Sequence, residues 1–398
     1  MDKIKWTNNR FKQETGSFHL SEHFTTREMK KSALFHADIP EYQPTPLHSL
    51  RELSKLLGVN SIYVKDESKR FGLNAFKGLG ASYAMASYFA RNSLDGSGTF
   101  TFSKLQEEIA TLPGLTFATA TDGNHGKGVA WAAGLFGQKA KVYMPKGSSQ
   151  WRLDAIRDLG ADAYLTDVNY DDTVQMVSRL SSENNWILIQ DTAWDGYEDI
   201  PLTIMKGYLT IVAEVAEQLA KQDSNEITHV FLQAGVGSFA ASVAAALHHL
   251  YPDSPPITVI VEPSNADCLF QSALDPSGLP QRVYGDLSTM MAGLACGEPN
   301  PVAWKILKSM SDYFFSCPDS TSSKGMKLLA NPLRKDTKIV SGESGAVTIG
   351  LLYELLTNNE LGEVKEKLKL DKHSRVLIIN TEGDTDPVNY RNVVWDGN

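Results

Sequence analysis

Three short segments of the 398-residue chain carry residue types that can act on a small molecule. The first, Asn74 to Gly80, reads N-A-F-K-G-L-G and places Lys77 at the end of a polar turn, just before an Ala-rich stretch. A lysine that is removed from water near the amides of a helix start has a lowered pKa and can attack an aldehyde. Because most lysines are exposed, a solvated Lys77 is the competing interpretation of this segment taken alone.

The second segment, Thr119 to Gly128, reads T-A-T-D-G-N-H-G-K-G and joins an apolar stretch to another Ala-rich one. Its glycines allow the backbone to come close to a ligand. Asn124 can donate a hydrogen bond to a phenolic or carboxylate oxygen, and His125 can stack on a ligand or carry a proton. Asp122 can cap the following helix or act in catalysis, and its position favours neither interpretation.

The third segment, Gln233 to Phe239, reads Q-A-G-V-G-S-F. Small residues at a helix start expose backbone amides that can hold a phosphate. The segment is not a dinucleotide fingerprint, because Ala240 stands at the third glycine position, and it is not a P-loop, because no G-K-[ST] follows. A tight turn without a ligand is the competing interpretation, since a single G-x-G is a weak signal.

Hydrophobic periodicity places all three segments between predicted elements. Strands are predicted at 61–64, 116–120, 140–144, 163–165, 186–189, 229–232, 258–261 and 375–380. Helices are predicted at 80–91, 126–136, 150–159, 204–221, 240–250, 345–356 and 362–368. The alternation indicates an α/β fold with mostly parallel sheets covered by helices on both faces. Since open α/β sheets bind ligands at the carboxyl ends of their strands, the three segments are expected to form one site.

The length of the chain predicts two domains, because a single core of this size is unusual. Polar runs at Asn92–Ser97 and Asp195–Pro201 mark the expected boundaries. We therefore expect a smaller inserted domain at 92–205, which carries the Asn124 segment. Residues 1–91 and 206–398 would form the larger domain.

Composition excludes several classes of partner. A net charge of -9 gives no electrostatic reason to bind nucleic acid or an anionic membrane surface. The polar stretch Met1 to Gly16 lacks the apolar core of a signal peptide, and His229–Tyr251 is interrupted by polar residues and glycines, which argues against a membrane span. The three cysteines, Cys268, Cys296 and Cys317, lack metal-ligand spacing, so we expect no metal and a reduced, cytoplasmic protein. The spacing neither predicts nor excludes a disulfide between Cys268 and Cys296.

Motifs in register from about Thr45 to Thr381 resemble the fold-type II pyridoxal-phosphate enzymes, the family of threonine dehydratases, cysteine synthases and the tryptophan synthase β subunit. The motifs are T-P-L at 45–47, L-S-K-L-L-G at 53–58, I-Y-V-K-D-E at 62–67, A-F-K-G-L-G-A at 75–81, T-D-G-N-H-G at 121–126 and G-V-G-S-F at 235–239. The resemblance implies two open, mostly parallel twisted sheets flanked by helices, with the smaller domain inserted in the larger. It also implies pyridoxal 5'-phosphate as cofactor, a small amino-acid substrate and a homodimer.

The resemblance also implies roles for individual residues. Lys77 matches the lysine that carries the cofactor, and Asn124 matches the residue that meets the phenolic oxygen of the cofactor. The phosphate would lie on the amides of Gly235, Val236, Gly237, Ser238 and Phe239. In this family the pyridine nitrogen faces a hydroxyl group, for which Thr381 is the first candidate and Thr385 the second. The expected substrate contacts are Thr121, Asp122, Gly123 and His125.

Departures from the common family pattern narrow the expected substrate. Asp122 stands where a dehydratase usually has a small residue. T-D-G-N-H-G, together with Q-D-T-A-W at 190–194 and N-T-E-G-D-T-D at 380–386, resembles the family members that remove ammonia from 2,3-diaminopropionate. The expected reaction is an α,β-elimination of the D and L isomers to pyruvate and two molecules of ammonia. Lys77 would take the α-proton of the L isomer and Asp122 that of the D isomer, while Asp191 would position the β-ammonium or assist as a base.

Four alternative functions compete with this reaction. A serine or threonine dehydratase would use the same cofactor but expel a hydroxyl group. A β-replacement synthase would need a second nucleophile. A cofactor-binding or sensor module without turnover is disfavoured by the intact lysine and the additional carboxylates. A nicotinamide-dependent dehydrogenase is disfavoured because no dinucleotide fingerprint follows a strand.

Overall fold

The chain alternates strands with helices along most of its length. The structure is a computed structural model that describes residues 3–13, 19–93, 100–111, 113–121, 123–222 and 226–397. Its strands are β1 (Lys5–Asn8), β2 (Leu47–Ser49), β3 (Ser61–Asp66), β4 (Thr116–Ala120), β5 (Lys139–Met144), β6 (Asp162–Leu165), β7 (Ile187–Leu188), β8 (His229–Gln233), β9 (Ile257–Pro263), β10 (Tyr313–Cys317) and β11 (Arg375–Asn380).

Sixteen α-helices of the described residues surround these strands. They are α1 (Thr26–Ala37), α2 (Arg51–Leu57), α3 (Gly78–Ser93), α4 (Phe102–Ile109), α5 (Asn124–Leu135), α6 (Gln150–Arg157), α7 (Tyr170–Asn184), α8 (Asp199–Gly207), α9 (Leu209–Ala220), α10 (Ser238–Leu250), α11 (Cys268–Leu274), α12 (Pro301–Met310), α13 (Asp319–Ala330), α14 (Glu343–Thr357), α15 (Gly362–Lys367) and α16 (Pro387–Val394). Short 3-10 helices lie at His19–Phe24, Glu67–Gly72, Ala292–Leu294 and Asn359–Leu361.

The strands form two sheets. The larger has the order β1-β10-β9-β8-β11-β3-β2 and is parallel except for its two edge strands, β1 and β2, which pair antiparallel. The smaller has the order β6-β5-β4-β7 and is wholly parallel. All residues of β3 and β8 are buried, as expected for central strands that helices cover on both faces. The predicted α/β class with mostly parallel sheets is confirmed.

A continuous hydrophobic core links the two sheets. It contains Val142 of the smaller sheet and Ile260 of the larger, together with the Ala-rich helices α3, α5 and α10 that lie between them. A second core lies on the other face of the larger sheet, around Phe231, Phe315 and Val347. The carboxyl ends of β4, β8 and β11 are therefore held by packed elements on both sides.

The smaller sheet lies between residues 116 and 188 in sequence, and its first helix crossover, β4 to α5, carries the Asn124 segment. We propose that this sheet and its helices form the inserted domain at 92–205. The first expected boundary, at 92–97, falls largely outside the described residues. The second, at 195–201, ends inside α8, which begins at Asp199.

Most of the predicted elements are present, and the differences have physical causes. All eight predicted strands occur, but β1, β2 and β10 were not predicted. The single helix predicted at 204–221 is wrong, because the structure has α8 and α9 with a break at Tyr208. Gly207 packs against the first turn of α3, where an added Cβ would lie 2.4 Å from the carbonyl oxygen of Leu79. The amide of Tyr208 then bonds to Met205, three residues back, which tightens the last turn of α8.

The apolar stretch 229–251 consists of β8, a tight turn and α10. Within the described residues, none of the helices has both the length and the apolar character that crossing a bilayer requires. The expectation that this stretch is a strand followed by a helix is confirmed.

Candidate active site

All three segments that carry reactive residue types line one cavity of about 870 Å³, at the carboxyl ends of strands from both sheets. The cavity lining includes the predicted site residues Lys77, Thr121, Asn124, His125, Asp191, Gly235, Val236, Gly237, Ser238, Phe239 and Thr381. Gly123 is not part of the lining; an added Cβ there would lie 2.9 Å from Cδ of Arg152. Asp122 lies outside the described residues.

Lys77 precedes α3 and points toward the carboxylate of Asp191, which follows β7 of the smaller sheet. Its Nζ donates a hydrogen bond to Oδ2 of Asp191 and forms an ion pair with it. Only 21% of the side chain is exposed. The alternative of a solvated surface lysine is therefore wrong, and the amine is held in the cavity by an acidic partner, Asp191.

Asp191 is a buried carboxylate that stays ionised. Burial by itself raises the pKa of Asp191, but His125, the Lys77 charge and the Lys77 hydrogen bond outweigh it and lower the pKa to about 2. Since this pKa lies below its ordinary value, the charge is present at neutral pH and is lost only as the pH falls toward 2. Asp191 can thus orient an ammonium group, whether that of Lys77 or of a substrate.

His125 uses one ring nitrogen to hold its loop and turns the other toward Asp191. Nε2 lies 2.8 Å from the carbonyl oxygen of Ile189, so Nε2 must carry the hydrogen. Nδ1 lies 3.8 Å from Oδ2 of Asp191 and has no hydrogen-bond partner among the described residues. Burial lowers the pKa of His125, which makes the neutral ring the form present at pH 7. The hydrogen bond from Nε2 therefore gives His125 a part in holding its own loop.

Thr121 stabilises the turn of the asparagine segment (residues 119–128), and Gly128 allows this segment to pack closely on the lysine segment (residues 74–80). Oγ1 of Thr121 accepts hydrogen bonds from the amides of Gly123 at 3.0 Å and Gly126 at 3.2 Å, which fixes the turn into α5. Gly128 allows α5 to press on the lysine segment, because an added Cβ would lie 2.9 Å from the carbonyl carbon of Lys77. Asn124 is therefore presented to the cavity beside Lys77.

The turn before α10 forms a cradle of free backbone amides. Among the described residues, the backbone amides of 235–240 donate to no protein acceptor, and they converge at the amino end of the helix. Gly237, with φ of 97°, adopts the left-handed conformation that the turn requires. These free amides are the kind of donors that a phosphate dianion requires.

The hydroxyl of Ser238 has a different task from its amide. It donates to the carbonyl oxygen of Asp191 at 2.8 Å and accepts from Nδ2 of Asn300 at 2.9 Å. Asn300 also caps α12, since its Oδ1 accepts from the amide of Val302 at 2.9 Å. The turn is therefore connected both to α12 and to the backbone of the Asp191 loop. Because the Ser238 hydroxyl makes these connections, Ser238 can offer an anion its backbone amide but not its hydroxyl.

Thr381, directly after β11, offers a hydroxyl donor to the cavity. Its Oγ1 accepts a hydrogen bond from Nε2 of Gln233 at 2.7 Å, so its own hydrogen is left for another acceptor. Thr385 is not part of the cavity lining, and its hydroxyl contacts Glu382 at 3.4 Å. A pyridine nitrogen that accepts a hydrogen bond fits Thr381, and the second candidate, Thr385, does not reach the cavity.

We predict that Thr381→Val raises the dissociation constant of pyridoxal phosphate about fivefold, the effect of losing one hydrogen bond worth about 1 kcal/mol. Titration of the apoenzyme with the cofactor, followed by absorbance, measures this change. Thr348→Val is the matched control, because Thr348 is equally buried and lies on α14 away from the cavity lining. A larger effect of Thr385→Val than of Thr381→Val would contradict the assignment.

Taken together, the donor set fits pyridoxal phosphate. The cavity offers a held amine for the aldehyde, free amides for the phosphate, an amide donor for the phenolic oxygen and a hydroxyl donor for the pyridine nitrogen. No group of three or more metal-ligand side chains occurs among the described residues. Cys268, Cys296 and Cys317 are unbridged thiols, so the disulfide considered from the sequence is not formed in this structure.

Several side chains of the site were not predicted from the sequence. Gln233 holds Thr381, and Glu382 accepts from Nδ2 of Asn124. Arg282 and Asp171 form an ion pair between the two walls of the cavity. Glu382 stands within the quoted N-T-E-G-D-T-D motif, directly after a strand, and that position was the signal that could have identified it.

Relatives of known function cover nearly the whole chain. A family model described as pyridoxal-phosphate dependent enzyme matches residues 39–382. The diaminopropionate ammonia-lyase of Salmonella typhimurium is 49% identical over 366 residues, which are 91% of each chain. A crystal structure of the Escherichia coli diaminopropionate ammonia lyase in complex with D-serine has a TM-score of 0.92 and 46% identity, covering 99% of this chain and 97% of that one. A structure of the same lyase with an aminoacrylate-PLP azomethine reaction intermediate has a TM-score of 0.88.

Proposed function

The chain belongs to the family of pyridoxal-phosphate-dependent enzymes, and on this basis we propose that it eliminates ammonia from 2,3-diaminopropionate, giving pyruvate and two molecules of ammonia. The observation that carries the proposal is the Lys77–Asp191 pair beside the cradle of free backbone amides. The match to diaminopropionate ammonia-lyases over more than nine tenths of the chain supports this substrate.

Pyridoxal phosphate, when bound, supplies an aldehyde that takes up amines and a ring that stabilises negative charge at the α-carbon. Lys77 would hold it through the side-chain amine, the amides of 235–239 through the phosphate, and Asn124 and Thr381 through the ring substituents. A neutral hydroxyl such as that of Thr381 leaves a pyridine nitrogen unprotonated, which suits elimination better than transamination.

The overall reaction consumes one water molecule. A base removes the α-proton, and the electron pair of that C–H bond forms the new double bond to the β-carbon. The β-carbon–nitrogen bond then breaks, and its electron pair leaves with the nitrogen as ammonia. The free 2-aminoacrylate tautomerises to an imine, which takes up water and yields pyruvate and the second ammonia.

Lys77 is the proposed base for the L isomer. Its amine is in the cavity, in contact with a carboxylate, and lies 5.5 Å from the centre of the Phe76 ring. Asp191 stays ionised at neutral pH, so it can hold Lys77 in place and then attract the β-ammonium of the substrate. An amine leaves well only when it is protonated, and a carboxylate that keeps the β-amine in its ammonium form favours its departure.

Asp122 is the proposed base for the D isomer, whose α-hydrogen points to the opposite face. The proposal rests on its place in the sequence, between Thr121, which lines the cavity, and Gly123 at the start of α5. The segment is expected to contact the carboxylate of the substrate, so a second negative charge there costs free energy. This cost suggests that Asp122 has a function in the reaction. The Escherichia coli lyase has been solved in complex with a D-amino acid.

A serine or threonine dehydratase is the nearest rival, because it uses the same cofactor with a different leaving group. We expect kcat/KM for diaminopropionate to exceed the values for serine and threonine by at least about 10²-fold, as a site built for a charged group rejects a neutral one. Stopped assays of pyruvate and ammonia should give two ammonia per pyruvate from diaminopropionate. Higher kcat/KM for serine or threonine would overturn the proposal in favour of the dehydratase.

We also propose that the protein is a cytoplasmic homodimer. The three unbridged thiols support a reducing compartment, and the dimer is expected from the family. Light scattering that gives a mass of 43.8 kDa, that of one chain, would contradict the dimer.

A further inference from the structure

Glu382 lies where three parts of the site meet. Its backbone forms a bridge with Ala75 of the lysine segment, and its carbonyl oxygen accepts from the amide of Gly342, just before α14, at 3.0 Å. Its side chain is 2% exposed and reaches the asparagine segment.

The carboxylate of Glu382 has a donor on each oxygen. Oε1 accepts from the amide of Ser344 at 2.9 Å. Oε2 accepts from Nδ2 of Asn124 at 2.5 Å and from the hydroxyl of Thr385 at 3.4 Å. Because an ionised carboxylate only accepts hydrogen bonds, Asn124 must turn its nitrogen, and not its oxygen, toward Glu382.

An asparagine amide has two N–H groups, and Glu382 uses one of them. The second N–H of Asn124 has no acceptor among the described residues, and Asn124 lines the cavity. A rotated amide would present its oxygen to Glu382 and repel it. We propose that Glu382 is a positioning residue that fixes the Asn124 amide, so that Asn124 donates its second N–H to the phenolic oxygen of the cofactor.

Glu343, at the start of α14, is a second buried carboxylate near Glu382. Burial, and after it the charge of Glu382, raises the pKa of Glu343 to about 7, although Arg152 and a hydrogen bond from Asn389 oppose the rise. Glu343 therefore takes up a proton before it would add a second negative charge beside Glu382.

The test is a double-mutant cycle on cofactor binding. Glu382→Gln, Asn124→Ala and the double variant are prepared as apoenzymes and titrated with pyridoxal phosphate. Since hydrogen bonds to charged groups are the strong ones, each single variant should bind the cofactor about 10- to 100-fold more weakly than the wild type. If Glu382 acts through Asn124, the double variant should be no weaker than Asn124→Ala alone.

A second readout follows the phenolic oxygen itself. A donated hydrogen bond stabilises the deprotonated oxygen, so losing it should move the pH midpoint of the visible cofactor band upward. This upward shift is expected in Glu382→Gln and in Asn124→Ala, with no further shift in the double variant. A residue with a merely structural role would lower stability without moving this midpoint.

Glu262→Gln is the matched control. Glu262 is equally buried and accepts from the amides of Leu269 and Phe270 at 2.8 and 2.7 Å, but it does not line the cavity. Its substitution should change cofactor affinity less than twofold. If Glu382→Gln does not fold, Glu382→Asp is used in the same cycle, with the same non-additive result expected.

Unchanged cofactor affinity in Glu382→Gln, or additive losses in the double variant, would overturn the inference. The inference rests on the bound cofactor of the proposed function and not on the substrate. Its failure in an enzyme that still eliminates ammonia from diaminopropionate would leave the proposed function standing. A wild-type protein that binds no cofactor would overturn both.

Discussion

Replacing Lys77 by alanine will reduce the turnover of diaminopropionate at least about 10³-fold, because one substitution removes both the covalent attachment of the cofactor and the proposed base for the L isomer. The side chain makes its hydrogen bond and ion pair with Asp191 in the cavity and is mostly covered. Pyruvate production under saturating cofactor measures the loss.

The control for Lys77→Ala is Lys206→Ala. Lys206, on α8, is also partly buried and has an acidic partner, Glu28, at 3.8 Å, but it does not line the cavity. The Lys206→Ala variant should retain turnover within about twofold of the wild-type rate. If Lys77→Ala kept more than a tenth of the wild-type rate, the assignment of Lys77 would be wrong.

Asp122→Asn will abolish turnover of D-diaminopropionate selectively, by about 10²- to 10⁴-fold, while the L isomer is turned over within a few-fold of the wild-type rate. The reason is geometric: the two isomers present the α-hydrogen to opposite faces, and Lys77 serves only one of them. Steady-state assays with each pure isomer measure the ratio.

Asp191→Asn provides the comparison for Asp122→Asn. Asp191 holds the amine of Lys77 and is ionised at neutral pH, so its loss should slow both isomers. Undiminished turnover of the D isomer by Asp122→Asn would remove Asp122 from the scheme. Equal losses on both isomers would show that Asp122 acts on something common to them, such as the shape of the loop.

The sequence predicted the parts of the site that depend on the order of strands, turns and helices along the chain. Lys77, Asn124 and the 235–239 turn each lie between a strand and a helix, and the edge of a parallel sheet brings such turns together. Thr381 could be chosen because it directly follows a strand. The choice over Thr385 needed the structure, which shows that a hydrogen bond from Gln233 leaves the Thr381 hydroxyl free to donate.

The features that the sequence did not predict depend on contacts between distant residues. Glu382 and Asn124 are 258 positions apart, and no periodicity relates them. Asp171 and Arg282 are 111 positions apart. The break at Tyr208 arises because Gly207 lies against the backbone of Leu79 and Gly80, which overrides the helical pattern of the segment. Strands β1 and β2 are short antiparallel edge strands, for which a few residues give little pattern.

The proposed function depends most directly on the covalent link between the cofactor and the amine of Lys77. Reduction of the resting enzyme with borohydride, followed by proteolysis and mass spectrometry, locates that link. We expect the peptide that contains Lys77 to carry the reduced cofactor. An unmodified Lys77, with the label on another lysine or on none, would contradict the account.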